Sequence, residues 1–295
     1  MPDIVICIPT FRRPQSLERL LRAIAALKTD AGVAVLVADN DAEGHAGFDL
    51  AAVMAPGFRL PLRAVIAHQR GIAHVRNTLI EEALKEKPRF IAMIDDDEWP
   101  DAHWLEAFLR AADETGAGVL QGSILFNHSA QADIVRAGGP CAMLQGAGNL
   151  LIRRDVLAAM TRPWFDPDFA LGGGEDHDFF VRARQAGVPF AWADQARCFG
   201  EVPQSRATLS WRLARAYSVG NSDMRVLLKH RPALWRRLAE LVKIAAVLAL
   251  AAPAALLLAA TPRRARPLEK LFRAMGKLMA MCGAHHQEYA VIHGQ

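Results

Sequence analysis

The chain has 295 residues, 52% of them hydrophobic and 22% charged, with a net charge of +4 and a pI near 9.0. This composition excludes a disordered or collagenous chain and allows one large domain or two modest ones. With 2 Tyr in all, and many of its Arg and Lys falling after Arg206, the chain lacks the interleaved basic and aromatic residues of a nucleic-acid binder, so no nucleic acid is expected as partner. Cys7, Cys141, Cys198 and Cys282 lie far apart and form no CxxC or Cys/His pattern, which suits isolated thiols in a reducing compartment. The opening M-P-D runs straight into I-V-I-C-I, with no basic start and too short an apolar run for a signal peptide, so the N-terminal part is expected in the cytoplasm.

Residues 4–8 form an apolar run stopped by Pro9 and read as a buried strand. Residues 14–27 place Leu17, Leu20, Leu21, Ile24 and Leu27 three and four apart, an amphipathic helix. A second buried strand over 33–37 ends in Ala38-Asp39-Asn40-Asp41. A third strand is expected over 62–66, a helix over 71–84, a strand over 89–94 and a helix over 101–112. Continuous apolar strands alternating with helices argue for an α/β fold, with a mostly parallel sheet covered on both faces. In such sheets ligands bind beyond the carboxyl ends of the strands. Three of those ends are polar: Thr10-Phe11-Arg12-Arg13, Asp39-Asn40-Asp41 and Asp95-Asp96-Asp97. From about residue 117 the pattern is less regular, with strand-like V-L-Q-G-S-I-L-F and N-L-L-I. Gly172-Gly173-Gly174 then opens a helix that begins Glu175-Asp176-His177-Asp178.

The run I-D-D-D-E-W-P sets three aspartates at the end of a buried strand, where they repel one another unless a cation sits among them. In an extended backbone side chains two apart share a face, so Asp95 and Asp97 can turn to one ligand while Asp96 turns away. Such a pair suits Mg2+ or Mn2+ shared with substrate phosphates. Helix capping by Asp97 or Asp101 competes with this reading, but capping uses one aspartate and not three. After the glycines, Glu175 and Asp176 would repel a phosphate. A carboxylate on a mobile loop could instead act as general base toward a hydroxyl; an acidic first turn facing the helix dipole is the equally good alternative. GxGxxG, GxxxxGK[ST] and a nucleophile elbow are all missing. Trp99, Trp104 and Trp192 are read as packing residues rather than sugar platforms, His177 as a helix-surface histidine, and His285-His286 as solvated tail.

I-P-T-F-R-R-P, V-A-D-N-D, R-G-I-A-H-V-R-N-T-L-I, I-D-D-D-E-W-P, G-N-L-L-I-R-R-D-V-L and G-G-G-E-D-H-D-F-F-V-R follow one another over roughly residues 4–220. In this order and spacing they resemble the family 2 glycosyltransferases, most of all the bacterial exopolysaccharide (succinoglycan) type. The resemblance implies a GT-A fold: a single mixed, mainly parallel sheet flanked by helices, forming a catalytic domain over 1–225. It implies an inverting, metal-dependent hexosyltransferase that uses a nucleotide-sugar, a UDP-sugar by preference. Asp95 and Asp97 would be the D-x-D acids at the metal and diphosphate, with Asp96 in the same nucleotide-sugar site. Asp39 would meet the base, and Pro9, Thr10 and Arg13 would line the nucleotide. One of Arg70 and Arg76 would contact the nucleotide; which of the two stays open. Asp176, paired with Glu175, would deprotonate the acceptor hydroxyl. Two departures stand out. Asn40 and Asp41 replace the usual acid and small hydroxyl residue after Asp39, and Gln204, Ser205, Arg206 and Trp211 do not fit a processive Q-x-x-R-W element, so one sugar per event is expected. An inactive membrane-bound GT-A scaffold is the main alternative. A sugar-1-phosphate nucleotidyltransferase is a weaker one, because its glycine-rich, Arg-containing loop after the first strand is missing.

Residues 226–295 form a helical, basic C-terminal region. At ~1.5 Å per residue, 241–260 is long enough to cross a ~30 Å hydrocarbon layer, but it is alanine-rich and Pro253 is expected to kink it. Arg236, Arg237 and Lys243 precede it and Arg263, Arg264 and Arg266 follow, so basic charge on both sides favours a re-entrant or interfacial segment over a full crossing. The next helix carries Leu268, Leu271, Phe272, Met275, Leu278 and Met279 on one face with Lys270, Arg273 and Lys277 elsewhere, as in-plane membrane helices do. A hairpin packed on protein is the competing reading. The expected setting is the cytoplasmic face of the inner (plasma) membrane, with the chain peripheral or re-entrant and a lipid-linked sugar as acceptor.

Overall fold

A computed structural model describes residues 1–126, 133–201, 208–258, 261 and 265–287. Gln204, Ser205, Arg206, Arg263 and Arg264 lie outside the described residues. The chain packs as two compact units: one holds Met1–Ala170 and Glu175–Val202, the other Leu171–Gly174 and Pro203–Gly294. The second unit therefore begins before residue 226, and one helix, Leu209–Lys229, runs unbroken through position 225.

The first unit runs β1 (Ile4–Thr10), α1 (Pro14–Ala25), β2 (Val33–Asp39), α2 (Ala46–Met54), β3 (Leu62–Ile66), α3 (Ile72–Leu84), β4 (Phe90–Ile94), β5 (Glu98–Pro100) and α4 (Trp104–Thr115). It continues with β6 (Val119–Phe126), β7 (Gly139–Cys141), β8 (Asn149–Arg153), α5 (Arg154–Ala159), α6 (Glu175–Gln185) and β9 (Phe190–Gly200). These strands form one nine-stranded sheet in the order β3-β2-β1-β4-β8-β6-β9-β5, with β7 on β9. Strands β3, β2, β1 and β4 are parallel. β8 then runs antiparallel to both β4 and β6, so the sheet is mixed.

Strand periodicity explains the two cores. Ile4, Ile6 and Ile8 face Leu17, Leu20, Leu21 and Ile24 of α1 and Trp104, Leu105 and Phe108 of α4. Val5 and Cys7, pointing the other way, face Ala73, Leu79 and Ile80 of α3 and Phe179 and Phe180 of α6. Side chains that alternate while both faces are covered turn a strand into the unbroken apolar run seen in the sequence.

Pro9 does not end β1, contrary to expectation. The strand continues to Thr10 because pairing with β4 stops at Cys7–Met93 while pairing with β2 runs on to Thr10–Asp39. A residue without N–H is tolerated where a neighbour strand has already stopped. The helix expected over 101–112 starts later, at Trp104, because the Asp101 carboxylate accepts the His103 N–H in a turn ahead of it. Trp104 and Trp192 are core residues, as read from the sequence, and Trp99 stacks on Phe199 with the Arg19 guanidinium 4.2 Å above its ring. Among the described residues the four cysteines are free thiols, Cys7 and Cys198 being buried.

The second unit contains α7 (Leu209–Lys229), α8 (Leu234–Leu257) and α9 (Ala265–Met281). α7 and α9 touch at glycines: a Cβ on Gly220 would strike the Arg273 carbonyl, and one on Gly276 the Tyr217 carbonyl. Asn221 closes this seam, donating to the carbonyls of Gly276 (3.2 Å) and Ala284 (2.8 Å) and accepting the His286 N–H. His286 is therefore fixed, with its ring edge-on to Tyr217, rather than part of a solvated tail. α8 continues through Pro253 as one helix, long and apolar enough to cross a membrane by length and composition. Only Ile244 and Ala251 of α8 are buried, while Leu250, Leu256 and Leu257 are 74%, 78% and 85% exposed.

Candidate active site

The site gathers where the parallel strands end. Thr10, last residue of β1, donates its hydroxyl to Asp96 Oδ2 at 2.8 Å. Arg13 reaches the same turn, bonding Asp96 Oδ1 (3.2 Å) and Asp97 Oδ2 (3.0 Å). Asp95, Asp96 and Asp97 sit on a tight turn and not on an extended strand: β4 ends at Ile94, and the Glu98 N–H closes back on the Asp95 carbonyl. Their exposures differ although Asp96 and Asp97 share the Arg13 guanidinium. The side chains of Asp95 and Asp97 are 34% and 26% exposed and that of Asp96 7%. Burial, then the Asp97 charge, pushes Asp96 up to about 7 against the pull of Arg13.

Asp39 is fully buried at the end of β2. Its Oδ2 accepts the N–H groups of Gly47 and Phe48, and its Oδ1 that of Asp41. This carboxylate thus anchors the first turn of α2, where anions are favoured. Asn40 bonds the Ala67 and Gln69 carbonyls and accepts the Gly71 N–H, tying β2 to the entry of α3. Gly71 has φ +133°, and a Cβ there would meet Ala170, so only glycine fits this corner. Asp41 is held by a two-bonded Arg12 at 2.7 and 3.1 Å, and the guanidinium lowers its carboxyl below the usual range.

The two arginines left open by the sequence separate clearly. Arg70 is exposed, its guanidinium 5.3 Å from the Phe11 ring centre at the end of β1. Arg76 is 4% exposed and pairs with Asp95 Oδ1 at 3.2 Å and Glu175 Oε1 at 2.5 Å. Glu175 and Asp176 stand in the first turn of α6 and not on a loop. Glu175 is buried, and burial, then the Asp176 charge, raises it to about 7 against Arg76. Asp176 is only partly buried, and its Oδ1 accepts the His177 N–H. Of the two acids, Asp176 is the more exposed.

Gly148, first residue of the G-N-L-L-I-R-R-D-V-L stretch, and Gly146 two residues before it lie against the two acid sets. A Cβ on Gly148 would lie 3.1 Å from Asp95 Oδ2 and 2.7 Å from Glu98 Oε1, and one on Gly146 would lie 3.7 Å from Asp176 Oδ2. Asp95 and Asp176 therefore both lie against the short segment 146–148, next to glycines that put no side chain in front of them. Glu98 was not among the candidate site residues. It is buried, raised well above the ordinary glutamate range by burial and then by Asp95 and Asp97, and its Oε2 has no hydrogen-bond partner among the described residues. Its place in the D-D-D-E run was the available signal.

Among the described residues no group of three or more His, Cys, Asp or Glu could hold a metal by itself. Asp95 and Asp97 still fit a hard cation: both are carboxylates, both are partly exposed, and Mg2+ or Mn2+ is commonly held by one or two carboxylates with phosphate and water oxygens completing the shell.

A mixed sheet with acids beyond the carboxyl ends of its parallel strands is the GT-A type of fold. Solved structures agree. Mannosyltransferase PcManGT from Pyrobaculum calidifontis, in complex with GDP-Man and Mn2+, superposes with a TM-score of 0.64 at 18% identity, over 95% of this chain and 87% of that one. S. aureus TarS superposes with a TM-score of 0.56 at 13% identity over 76% of this chain, which spans 42% of that protein; its residues 1–349 have been solved with UDP-GlcNAc. At these identities the likeness speaks for the fold.

The profile of Glycosyl transferase family 2 matches residues 5–158. The Succinoglycan biosynthesis protein ExoM of Rhizobium meliloti (strain 1021) is 30% identical over 249 residues, 76% of this chain and 74% of that protein. The chain belongs to glycosyl transferase family 2 and is a glycosyltransferase.

Proposed function

We propose that the protein moves one sugar from a nucleotide-sugar, a UDP-sugar by preference, to a hydroxyl of a lipid-linked glycan, with inversion, in exopolysaccharide or cell-envelope synthesis. The observation that carries this reading is that Asp95 and Asp176, far apart in the chain, both lie against residues 146–148. The donor diphosphate belongs on the Asp95 side, with Thr10, Arg13 and Arg70 around the nucleotide and Pro9 and Asp39 shaping the wall behind it. Asp95 and Asp97 would hold Mg2+ or Mn2+, which when bound supplies positive charge beside the departing diphosphate. Asp176 takes the proton from the acceptor hydroxyl as its oxygen attacks the anomeric carbon. The bond to the diphosphate breaks and its electron pair leaves with the nucleotide. One base suffices for a single displacement.

The membrane part of the reading rests on the second unit by itself. The apolar length of α8 is largely exposed, and Trp235, 65% exposed, lies near its start beside Arg236 and Arg237. Aromatic and basic residues bordering an apolar helix suit the interface of a bilayer. These features support membrane association, peripheral or re-entrant, and the side we propose is the cytoplasmic face of the inner membrane.

A thermal-shift comparison of UDP, GDP, CMP and dTDP, each with and without Mn2+, tests the donor. At a hundred times Kd the gain is ~2.7 kcal/mol, a rise of roughly 5 °C or more for a domain of a couple of hundred residues. UDP with Mn2+ should stand apart. Donor hydrolysis that requires the cation should vanish in Asp95→Ala. Equal shifts for all four nucleotides, or hydrolysis untouched in Asp95→Ala, would sink the reading.

A further inference from the structure

Arg76 is buried, yet it bonds acids from two distant parts of the chain: Asp95 after β4 and Glu175 at the start of α6. Its guanidinium lies 5.6 Å from the Phe165 ring centre. That ring stacks on Phe179 at 5.0 Å, and the backbone of Phe165 is clamped by Asn77, which accepts its N–H and donates to its carbonyl. The shelf beneath the guanidinium is therefore rigid. Glu175 has Arg76 on Oε1 and no hydrogen-bond partner on Oε2 among the described residues. A buried carboxylate held on one side by one cation depends heavily on that cation. Asp176 follows Glu175 in the same helical turn, so whatever fixes Glu175 fixes the start of α6 and the carboxylate beside it.

We infer that Arg76 is a positioning residue, a single fork that ties the donor-side acid Asp95 to the acceptor-side pair Glu175 and Asp176 and so sets the distance across which the sugar passes. The inference rests on the donor and acceptor sides assigned under Proposed function. It gives Arg76 a role other than nucleotide contact and leaves that contact to Arg70. A planar guanidinium can serve two carboxylates at once; the ammonium of lysine is a point charge that cannot hold both in this geometry.

The test uses the full chain, its Arg76→Lys and Glu175→Gln variants, and the double variant. The substrates are UDP-glucose, UDP-N-acetylglucosamine and GDP-mannose with Mn2+, and the readouts are hydrolysis, calorimetric binding of UDP and GDP, and Tm. For the donor that the wild type hydrolyses fastest, Arg76→Lys should lower kcat on the order of 10²-fold, as a ~1 Å misplacement does. Its KM and nucleotide affinity should stay within about threefold, since uniform binding is untouched. Glu175→Gln should lower kcat as well, and the double variant should fall little further than Arg76→Lys, because the two side chains share one interaction. A kcat equal to wild type with only Tm lowered would overturn the inference, and so would a tenfold or larger loss of nucleotide affinity at unchanged kcat. If Arg76→Lys does not fold, Glu175→Gln carries the same test from the other end of the bond, with kcat at the wild-type value as the overturning result. A wild type that binds neither UDP nor GDP fails the functional reading itself, which is a different result from any of these.

Discussion

Asp176→Asn is expected to lower sugar transfer by about 10²–10⁴-fold while leaving nucleotide affinity and Tm close to wild type, because loss of a general base acts on the chemical step. The substitution keeps the size of the side chain and an oxygen able to accept the His177 N–H that Asp176 Oδ1 now takes, so the start of α6 should survive. What disappears is the ability to receive a proton. Steady-state rates with a saturating acceptor, set beside calorimetric UDP binding, separate the two effects. Rates within threefold of wild type would remove Asp176 from the chemistry, and Glu175 could not take its place without leaving its buried pair with Arg76.

The second large effect concerns stability. Asn149 is fully buried. Its Nδ2 donates to the carbonyls of Ser123 (3.0 Å) and Ala196 (2.9 Å), and its Oδ1 accepts Trp104 Nε1–H at 2.8 Å. One side chain on β8 thus joins β6, β9 and α4. Asn149→Ala leaves one donor and two acceptors buried without partners, at ~1–3 kcal/mol each where no water enters. Even partial relaxation leaves a loss of about 3–5 kcal/mol, a large share of the ~5–15 kcal/mol that holds a typical domain. At ~2–4 °C per kcal/mol, thermal unfolding should move down by roughly 10 °C. A melting point within 2 °C of wild type would show that the hub is replaceable. Gly122 lies against the same hub: a Cβ there would run into both the Ala196 carbonyl and the Asn149 amide.

Asn149 also illustrates what a motif conceals. In the sequence it belongs to G-N-L-L-I-R-R-D-V-L, one of the six stretches that carry the resemblance to the glycosyltransferases. In the fold its side chain is structural, and it is the glycine before it that lies against Asp95 and Glu98. Among the elements that local pattern did not show, α2 and β9 share a related reason. Helix α2, A-G-F-D-L-A-A-V-M, has little amphipathic pattern of its own and is started by the Asp39 carboxylate from β2. Strand β9 mixes polar and apolar residues and owes its form to pairing with β6, β5 and β7. Both depend on partners far away in the chain, which no local pattern announces.

The sequence by itself determined the parallel strands β1 to β4, the helices α1 and α3 between them, and the convergence of polar residues at the strand ends. Apolar periodicity records burial directly, and strand ends must carry whatever lies beyond the sheet. Adjacency of the acids Asp95, Asp96 and Asp97, and of Glu175 and Asp176, was equally plain. Only the tertiary structure decided which acid of each set is exposed, because burial depends on what packs above a residue. It buried Glu175 and left Asp176 more exposed, locked Asp39 onto α2, separated Arg70 from Arg76, and set Gly148 against Asp95 and Gly146 against Asp176. Those outcomes rest on contacts between residues dozens of positions apart, and the chain must fold before any of them exists.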